Sequence, residues 1–196
     1  AGSYSDIAAF STHPLKNLNG LGDGGFITTN NKKYYNKIKL FRNHGILKRD
    51  HVETYGVNSR LDVINAEVLK MRLKSLKSNI SKRKKNFEIY RKNLDKKFIK
   101  IPEYNKKEIN AHVLLLAQVK KRDELQKYLN NQKIQTLVYY GTPLHMHRAT
   151  KKLGYKKNSL PIAEKLAKNV LALPHHQNLS EKDIMYVCKK INSFYN

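Results

Sequence analysis

The sequence is poor in cysteine, in acidic residues and in long apolar runs, and each shortage excludes a class of protein. Cys188 is the one cysteine among 196 residues, which excludes an internal disulfide and is typical of a reducing compartment. No apolar run approaches the roughly 18 residues that cross a membrane. The sequence does not open with a charged start followed by an apolar stretch, so we expect no secretory signal. These absences predict a cytoplasmic protein with no membrane partner.

Acidic residues are scarce: 15 Asp and Glu stand against 39 Lys and Arg, which gives a formal net charge of +24. A charge of this size is often a mark of nucleic-acid binding. Here, however, 31 of the basic residues are lysines, only 8 are arginines, and the lysines are spread along the chain. Proteins that read nucleic acid more often combine arginine with interleaved aromatic residues. We therefore expect no specific nucleic-acid partner, although a basic surface would attract an anionic, nucleotide-linked substrate.

One segment near the start carries the clearest chemical pattern. The apolar run Ile7–Phe10 is typical of a buried strand, and Phe26–Thr29 predicts a second strand. Between them lie Lys16 and the glycine-dense turn 20–25. A covalent aldehyde cofactor needs an amine that is aimed and partly desolvated, so a lysine fixed in a strand-to-strand turn suits that chemistry. A solvated surface lysine beside an ordinary glycine turn is the alternative.

The order Ser-x-His-Pro-x-Lys-Asn, then Gly-Asp-Gly-Gly, then a strand closely resembles the cofactor-lysine motif of the DegT/DnrJ/StrS-type sugar aminotransferases. Other segments resemble that family in the right order: 40–45, 49–53, 56–62, 143–145, 160–164 and 171–174. The resemblance implies an α/β fold, in which the C-terminal part of an aspartate-aminotransferase-like (fold type I) large domain precedes a small α/β domain. Residues 1–78 would belong to the large domain, and residues 79–196 to a connecting helix and the small domain.

The resemblance also implies what the chain does not contain. Family members are about twice this long, so the chain resembles a C-terminal portion. It would lack the aspartate, the stacking aromatic ring and the helix N-terminus that help to hold the cofactor. We therefore expect the chain alone to be inactive. The sequence departs from many relatives at Asn65-Ala66, where Gln-Ala is common, and at Tyr140-Gly141, where Tyr-Pro is common.

By the resemblance, Lys16 is the catalytic residue. It would form a Schiff base with pyridoxal 5'-phosphate and would also move a proton between the substrate and the cofactor. Ser11 and Asn58 are implied to bind the cofactor phosphate, Asn58 in the neighbouring subunit's site. Two alternatives stay open: a strand-end serine that bonds its own backbone, and an asparagine that caps the helix near Leu61.

Three further residues are candidate substrate contacts. Arg60 could meet a substrate diphosphate, for which a guanidinium fork is suited, or could form an interface salt bridge. His13 and His145 could contact the sugar nucleotide. The histidines at 145–147 and 175–176 have no cysteine or acidic partner at ligand spacing, so we expect no metal site.

The resemblance implies an aminotransferase that moves an amino group from glutamate to a nucleotide-linked keto-deoxysugar, best a dTDP-linked 3-keto-6-deoxyhexose. A homodimer with a shared active site is expected. Related sugar dehydratases use the same cofactor but carry histidine at the lysine position, and Lys16 argues against that rival. The alternative that is not an enzyme is a non-catalytic basic remnant or a nucleic-acid-binding module.

Periodicity places the helices and strands around these residues. Helices are predicted at 32–42, 61–94, 122–129, 161–171 and from Ser180 onward, and strands in the second half at 112–119 and 134–140. For the long helix, the spacing predicts a buried face of Leu61, Ile64, Val68, Met71, Leu76, Ile80, Phe87, Tyr90 and Leu94. Ser180 and Asp183 resemble a capping pair, and the last helix should bury Ile184, Val187, Ile191 and Phe194.

Overall fold

The computed structural model describes residues 2–105 and 107–196. The chain divides into two compact units, Ala1–Lys77 and Ser78–Asn196. The first unit contains β1 (Ala8–Ser11), β2 (Gly25–Thr28), α1 (Lys32–Phe41), β3 (Ile46–Lys48), β4 (His51–Val52) and the start of α2 (Val63–Asn93). The second unit contains the end of α2 and then β5 (Ile99–Lys100), β6 (Leu115–Val119), α3 (Arg122–Asn131), α4 (Pro161–Asn169), β7 (Val170–Leu173) and α5 (Glu181–Tyr195). Two short 3-10 helices, Leu144–Met146 and Arg148–Leu153, lie between α3 and α4. Within the described residues, no helix is both long enough and apolar enough to cross a bilayer.

Strands β1 and β2 form the hairpin that the sequence predicts, with each strand shifted by one residue. They are antiparallel, Ser11 lies opposite Gly25, and the rings of Phe10 and Phe26 stack with centroids 4.9 Å apart. The expectation that the first strand is buried is wrong for this chain. β1 alternates between half-buried and exposed side chains, and every residue of β2 is exposed. The reason is that, in the described part of the chain, the two strands pair only with each other.

The segment after α1 folds back on the end of that helix, which forms as predicted. The N–H of Ser59 donates to the carbonyl of Arg42 at 2.9 Å. Gly45 has φ 71°, and a Cβ there would lie 1.6 Å from the carbonyl oxygen of Thr54. Only glycine allows both that backbone angle and that approach. This packing fixes the course of the chain that carries Asn58.

Helix α2 is continuous from Val63 to Asn93, in place of the predicted helix from 61 to 94. Its predicted buried face is partly wrong in the first unit, because Ile64 and Met71 are exposed. The polar side chain of Asn65 is buried instead. It takes the inward position because its carboxamide bonds a neighbouring loop, an attraction that apolar periodicity does not detect.

The second unit has a three-stranded antiparallel sheet with β6 in the middle. The side chains of β6 alternate between buried and half-buried, as in a strand with one face on a core. The core is formed by α2, α3, α5 and the sheet, and its residues include Phe87, Tyr90, Leu94, Ile99, Leu115, Ala117, Val119, Leu125, Leu129, Leu171, Leu173, Ile184, Val187 and Ile191. The predicted capping pair is confirmed, because the side chains of Ser180 and Asp183 each bond the other residue's backbone N–H.

Two predictions around β6 are wrong. The strand predicted at 112–119 begins only at Leu115. The strand predicted at 134–140 does not form, and Leu137 instead makes an isolated bridge to Ala172. Ala172 pairs with β6 on its other side, so the bridge extends the sheet by one residue pair only. β-branched and aromatic composition therefore indicated an extended segment but not its pairing.

The helix predicted at 161–171 ends at Asn169, and Val170–Leu173 continues as strand β7. The boundary is set by tertiary contacts, because the backbone of β7 pairs with β6 over four residue pairs, from Val170 opposite Gln118 to Leu173 opposite Leu115. A short apolar run does not distinguish a helix from a buried strand by periodicity alone.

Candidate active site

Lys16 lies in the loop between the paired ends of β1 and β2. The loop is closed by two backbone bonds, from the N–H of Thr12 to the carbonyl of Gly24 (2.9 Å) and from the N–H of Gly20 to the carbonyl of Thr12 (2.7 Å). The Lys16 side chain is exposed, and its Nζ has no hydrogen-bond or ion-pair partner among residues 2–105 and 107–196. No described side chain therefore occupies the Lys16 amine through a hydrogen bond or an ion pair. The partial desolvation that the sequence predicts is not provided by the described residues.

Ser11 is the last residue of β1, and His13 begins the turn that ends at Lys16. The Oγ of Ser11 accepts a hydrogen bond from the N–H of His13 at 3.2 Å, so this serine does bond its own backbone. A hydroxyl that accepts one bond still has its proton to donate, and phosphate binding by Ser11 stays a prediction. The carbonyl of His13 accepts the N–H of Lys16 at 2.8 Å, which makes a tight turn immediately before the lysine.

The His13 ring is held in one orientation by its own loop. Its Nδ1 accepts the N–H of Leu15 at 3.1 Å, so the neutral ring carries its proton on Nε2. That Nε2 lies 3.8 Å from a carboxylate oxygen of Asp23; the side chain of His13 is 45% exposed and that of Asp23 is 92% exposed. His13 can therefore present an N–H from the loop that carries Lys16, and its contact with substrate stays a prediction.

Asn58 and Arg60 form a second pair in the first unit. The Nε of Arg60 donates to Oδ1 of Asn58 at 2.9 Å, and both residues are exposed. Asn58 does not cap α2, because the helix begins five residues later, at Val63. The bond leaves the amide N–H₂ of Asn58 and the remaining guanidinium N–H groups of Arg60 to face solvent. Phosphate and diphosphate oxygens suit such donors.

His145 lies in the second unit and is almost completely buried. Its Nε2 is 3.0 Å from Oε1 of Glu164, and the side chains retain 5% and 14% of their accessible surface. The hydrogen bond from His145 holds the pKa of Glu164 below its ordinary value. His145 thus has a partner within its own unit, and its role as a substrate contact stays a prediction.

Sequence reasoning did not find two side chains that hold the Lys16 loop. Asn65 and Arg72, both on α2, bond the backbone of residues 19–21. The sequence marked Asn65 only as a position where many relatives have glutamine. A side chain that bonds a distant backbone leaves no repeating pattern in the sequence.

The functional groups in the first unit are of the chemical types that bind pyridoxal phosphate. Lys16 offers an unpaired amine for the aldehyde, and Ser11, Asn58 and Arg60 offer a hydroxyl, an amide and a guanidinium for an anionic phosphate. In the part of the chain that the structure describes, no three His, Cys, Asp or Glu side chains come together as ligands for a metal ion.

Comparison with known proteins gives the same family as the motif. The profile of the DegT/DnrJ/EryC1/StrS aminotransferase family matches residues 1–192. A "pleiotropic regulatory protein" of Geobacillus stearothermophilus is 36% identical over 99% of this chain and 53% of its own length. The dTDP-3-amino-3,6-dideoxy-α-D-galactopyranose transaminase of Aneurinibacillus thermoaerophilus is 34% identical over 98% of this chain and 53% of its own length.

Solved structures agree with the sequence relatives. Streptomyces venezuelae DesV, crystallised in complex with a ketimine intermediate, superposes with a TM-score of 0.94 and 32% identity over 99% of this chain and 53% of the other. The predicted fold class, part of a fold type I aminotransferase, is confirmed by this likeness. The chain spans about half the length of the relatives that it matches. The chain belongs to the DegT/DnrJ/EryC1/StrS aminotransferase family.

Proposed function

We propose that the whole protein containing this chain is a pyridoxal-phosphate-dependent aminotransferase that moves an amino group from glutamate to a nucleotide-linked keto-deoxysugar. One observation carries the proposal: Lys16 presents an unpaired, exposed amine from a loop closed by backbone hydrogen bonds. The family to which the chain belongs uses such a lysine. When bound, pyridoxal phosphate supplies an aldehyde for the amines and a ring that withdraws electrons from the reacting carbon.

Each candidate residue has a task in this proposal. Lys16 holds the aldehyde and, once displaced by the incoming amine, carries a proton to and from the reacting carbon. Ser11 donates its hydroxyl to the cofactor phosphate, and Asn58 reaches the phosphate of the neighbouring subunit's cofactor. Arg60, with Nε already bonded to Asn58, offers its terminal N–H groups to the substrate diphosphate.

The best candidate acceptor is a dTDP-linked 3-keto-6-deoxyhexose. The support is the resemblance around Asn58 and the likeness to relatives whose names specify dTDP-3-amino sugars. Other relatives are named for UDP-linked substrates, so the carrier nucleotide is part of the test. His13 and His145 are proposed to contact this substrate. The basic surface, with a net charge of +24, would draw in either anionic sugar nucleotide.

The test is turnover by the whole protein. Purified protein would be supplied with pyridoxal phosphate, glutamate and a panel of dTDP- and UDP-linked 3-keto and 4-keto sugars, and the amino-sugar product measured by mass spectrometry. We expect product from a dTDP-linked 3-keto sugar, and loss of at least about a thousandfold in rate on Lys16→Ala. Lys48→Ala, which removes an exposed lysine from β3, is the matched control and should remain active. Equal activity of the two variants would contradict the role of Lys16.

A further inference from the structure

Two side chains of helix α2 clamp one short piece of backbone. Oδ1 of Asn65 accepts the N–H of Leu21 at 3.0 Å. Nη1 of Arg72 donates to the carbonyls of Asn19 and Gly20 at 2.7 and 3.1 Å. All five residues belong to the first unit. The clamp therefore uses both kinds of backbone group, an N–H and two carbonyls, within three consecutive residues.

The clamp is partly desolvated, which strengthens its hydrogen bonds. Asn65 retains only 8% of its accessible surface and Arg72 is half-buried. Burying a carboxamide and a guanidinium costs free energy unless they find partners. Here the partners are backbone groups of the loop, so removing either side chain leaves partly buried backbone groups of residues 19–21 without these partners.

Gly20 is what allows the clamp to close. A Cβ at Gly20 would lie 2.3 Å from Oδ1 of Asn65, and a Cβ at Gly24 would lie 3.3 Å from its Nδ2. A Cβ at Gly22 would meet nothing within 4 Å. The glycines of this loop therefore differ. A Cβ at Gly20 would displace the Asn65 carboxamide, whereas a Cβ at Gly24 would first meet Leu61 and Thr12, at 2.9 Å each.

The clamped residues connect directly to the turn that carries Lys16. Besides its clamped carbonyl, Asn19 donates from Nδ2 to the carbonyl of Pro14 at 3.0 Å. The N–H of Gly20 donates to the carbonyl of Thr12 at 2.7 Å. Thr12 immediately precedes the turn of residues 13–16 and Pro14 lies within it, so the clamp on residues 19–21 restrains the backbone on both sides of the lysine.

We propose that Asn65 and Arg72 are positioning residues for Lys16. This inference rests on the proposed function of Lys16. An exposed lysine on a loop has many orientations, and a reaction between bound groups is sensitive to displacements of about 1 Å, which can cost about a hundredfold in rate. By fixing residues 19–21 on a helix, the clamp holds the lysine backbone in place before substrate arrives.

The experiment uses the whole protein loaded with cofactor, with variants in matched pairs. Asn65→Leu removes the acceptor, whereas Lys70→Leu replaces an exposed side chain of the same helix. Gly20→Ala forces the carboxamide away, whereas Gly22→Ala adds a methyl group in open space. Arg72→Met removes the two donated bonds, whereas Lys74→Met removes a charge from an exposed position of the same helix.

Three readouts separate positioning from folding alone. We expect the first variant of each pair to lower kcat about 10- to 100-fold, with KM for the sugar nucleotide changed less than about threefold. The pH at which the visible absorbance of the bound cofactor changes should also move, because that absorbance reports the surroundings of Lys16. Amide exchange in residues 13–21 should accelerate at least about tenfold. The second variant of each pair should match the unmodified protein in all three.

The outcomes are distinguishable from failure of the proposed function. If the visible absorbance of the bound cofactor were the same in the unmodified protein and in Lys16→Ala, the proposed function would be wrong, and the positioning role with it. If that absorbance were normal and unchanged in Asn65→Leu and Arg72→Met, with unchanged kcat and amide exchange, the clamp alone would be refuted. If Asn65→Leu and Gly20→Ala fail to fold, the comparison of Arg72→Met with Lys74→Met in the same three readouts tests the positioning role.

Discussion

The Nε2 of His145 lies 3.0 Å from Oε1 of Glu164, in a pair almost closed to solvent. This contact joins a short 3-10 helix to α4. It gives each of the two largely buried polar side chains a hydrogen-bond partner. The hydrogen bond holds the pKa of Glu164 below the ordinary value of 4.5. A carboxylate with a depressed pKa stabilises the fold above its unfolded pKa, and this stabilisation is lost as pH falls through the folded pKa.

Glu164→Gln should therefore flatten the acid side of the stability curve. In the whole protein, the urea midpoint of the unmodified chain should fall as pH drops below about 4.5, and the variant should fall less over the same range. Glu181→Gln, at an exposed position of α5, is the control and should follow the unmodified curve. Parallel curves for Glu164→Gln and the unmodified protein would show that the pair does not couple to folding.

His175 provides a second, separate acid response. Its Nε2–H donates to the carbonyl of Arg83 at 3.0 Å, and its buried Nδ1 has no hydrogen-bond partner among the described residues. Burial lowers the pKa of His175 to about 4 from an ordinary 6.5. The unfolded chain thus binds this proton first, so stability should be complete above pH 6.5 and fall between pH 6.5 and about 4.

The expected loss over that interval is on the order of 3 kcal/mol. His175→Gln does not titrate and can keep a donor for the carbonyl of Arg83, so most of this pH dependence should disappear. The measurement is the free energy of unfolding by urea at pH 7 and at pH 4, with His176→Gln as the control for an exposed neighbour. A full pH dependence in His175→Gln would assign the effect to other groups.

Thr12 offers a stabilising substitution. It is completely buried, and its Oγ1 has no hydrogen-bond partner in the described part of the chain. Thr12→Val keeps the shape and removes the desolvated hydroxyl, so the free energy of unfolding should rise by about 1 kcal/mol. Thr12→Ser keeps the hydroxyl and removes the methyl group, and should be destabilising. A loss of stability in Thr12→Val would mean that the hydroxyl has a partner in the whole protein.

Local signals predicted the parts of the fold that depend on neighbouring residues. The capping box of Ser180 and Asp183 and the helix that follows it need only a few adjacent positions, and both were correct. The lysine motif around Lys16 is also local, because the turn, the glycines and both strands lie within about twenty residues. Such features can be predicted because they depend on residues that are close together in the sequence.

Features set by distant contacts were missed. Val170–Leu173 is a strand because β6 pairs with it, although its apolar residues continue the pattern of the preceding helix. The inward position of Asn65 depends on a backbone N–H 44 residues away. Neither contact leaves a repeating pattern in the sequence, so periodicity assigned Val170–Leu173 to a helix and predicted that Ile64, rather than Asn65, is buried.

Sharing of the active site across a dimer can be tested by complementation. If Asn58 reaches the cofactor held by the partner's Lys16, whole-protein variants Lys16→Ala and Asn58→Ala should complement when unfolded together and reassembled. Random pairing makes half of the dimers mixed, and each mixed dimer has one intact site, so about a quarter of all sites should recover. Activity that stays at the level of the separate variants, with mixed dimers shown to form, would rule out sharing.

The central claim, that Lys16 carries the cofactor, has a direct chemical test. The whole protein would be loaded with pyridoxal phosphate, reduced with borohydride and digested, and the modified peptide identified by mass spectrometry. With 31 lysines in the chain, position and stoichiometry decide the result. We expect one cofactor per chain, attached to Lys16, and no stoichiometric label in Lys16→Ala. Stoichiometric label on another lysine, or none on the unmodified protein, would contradict the account.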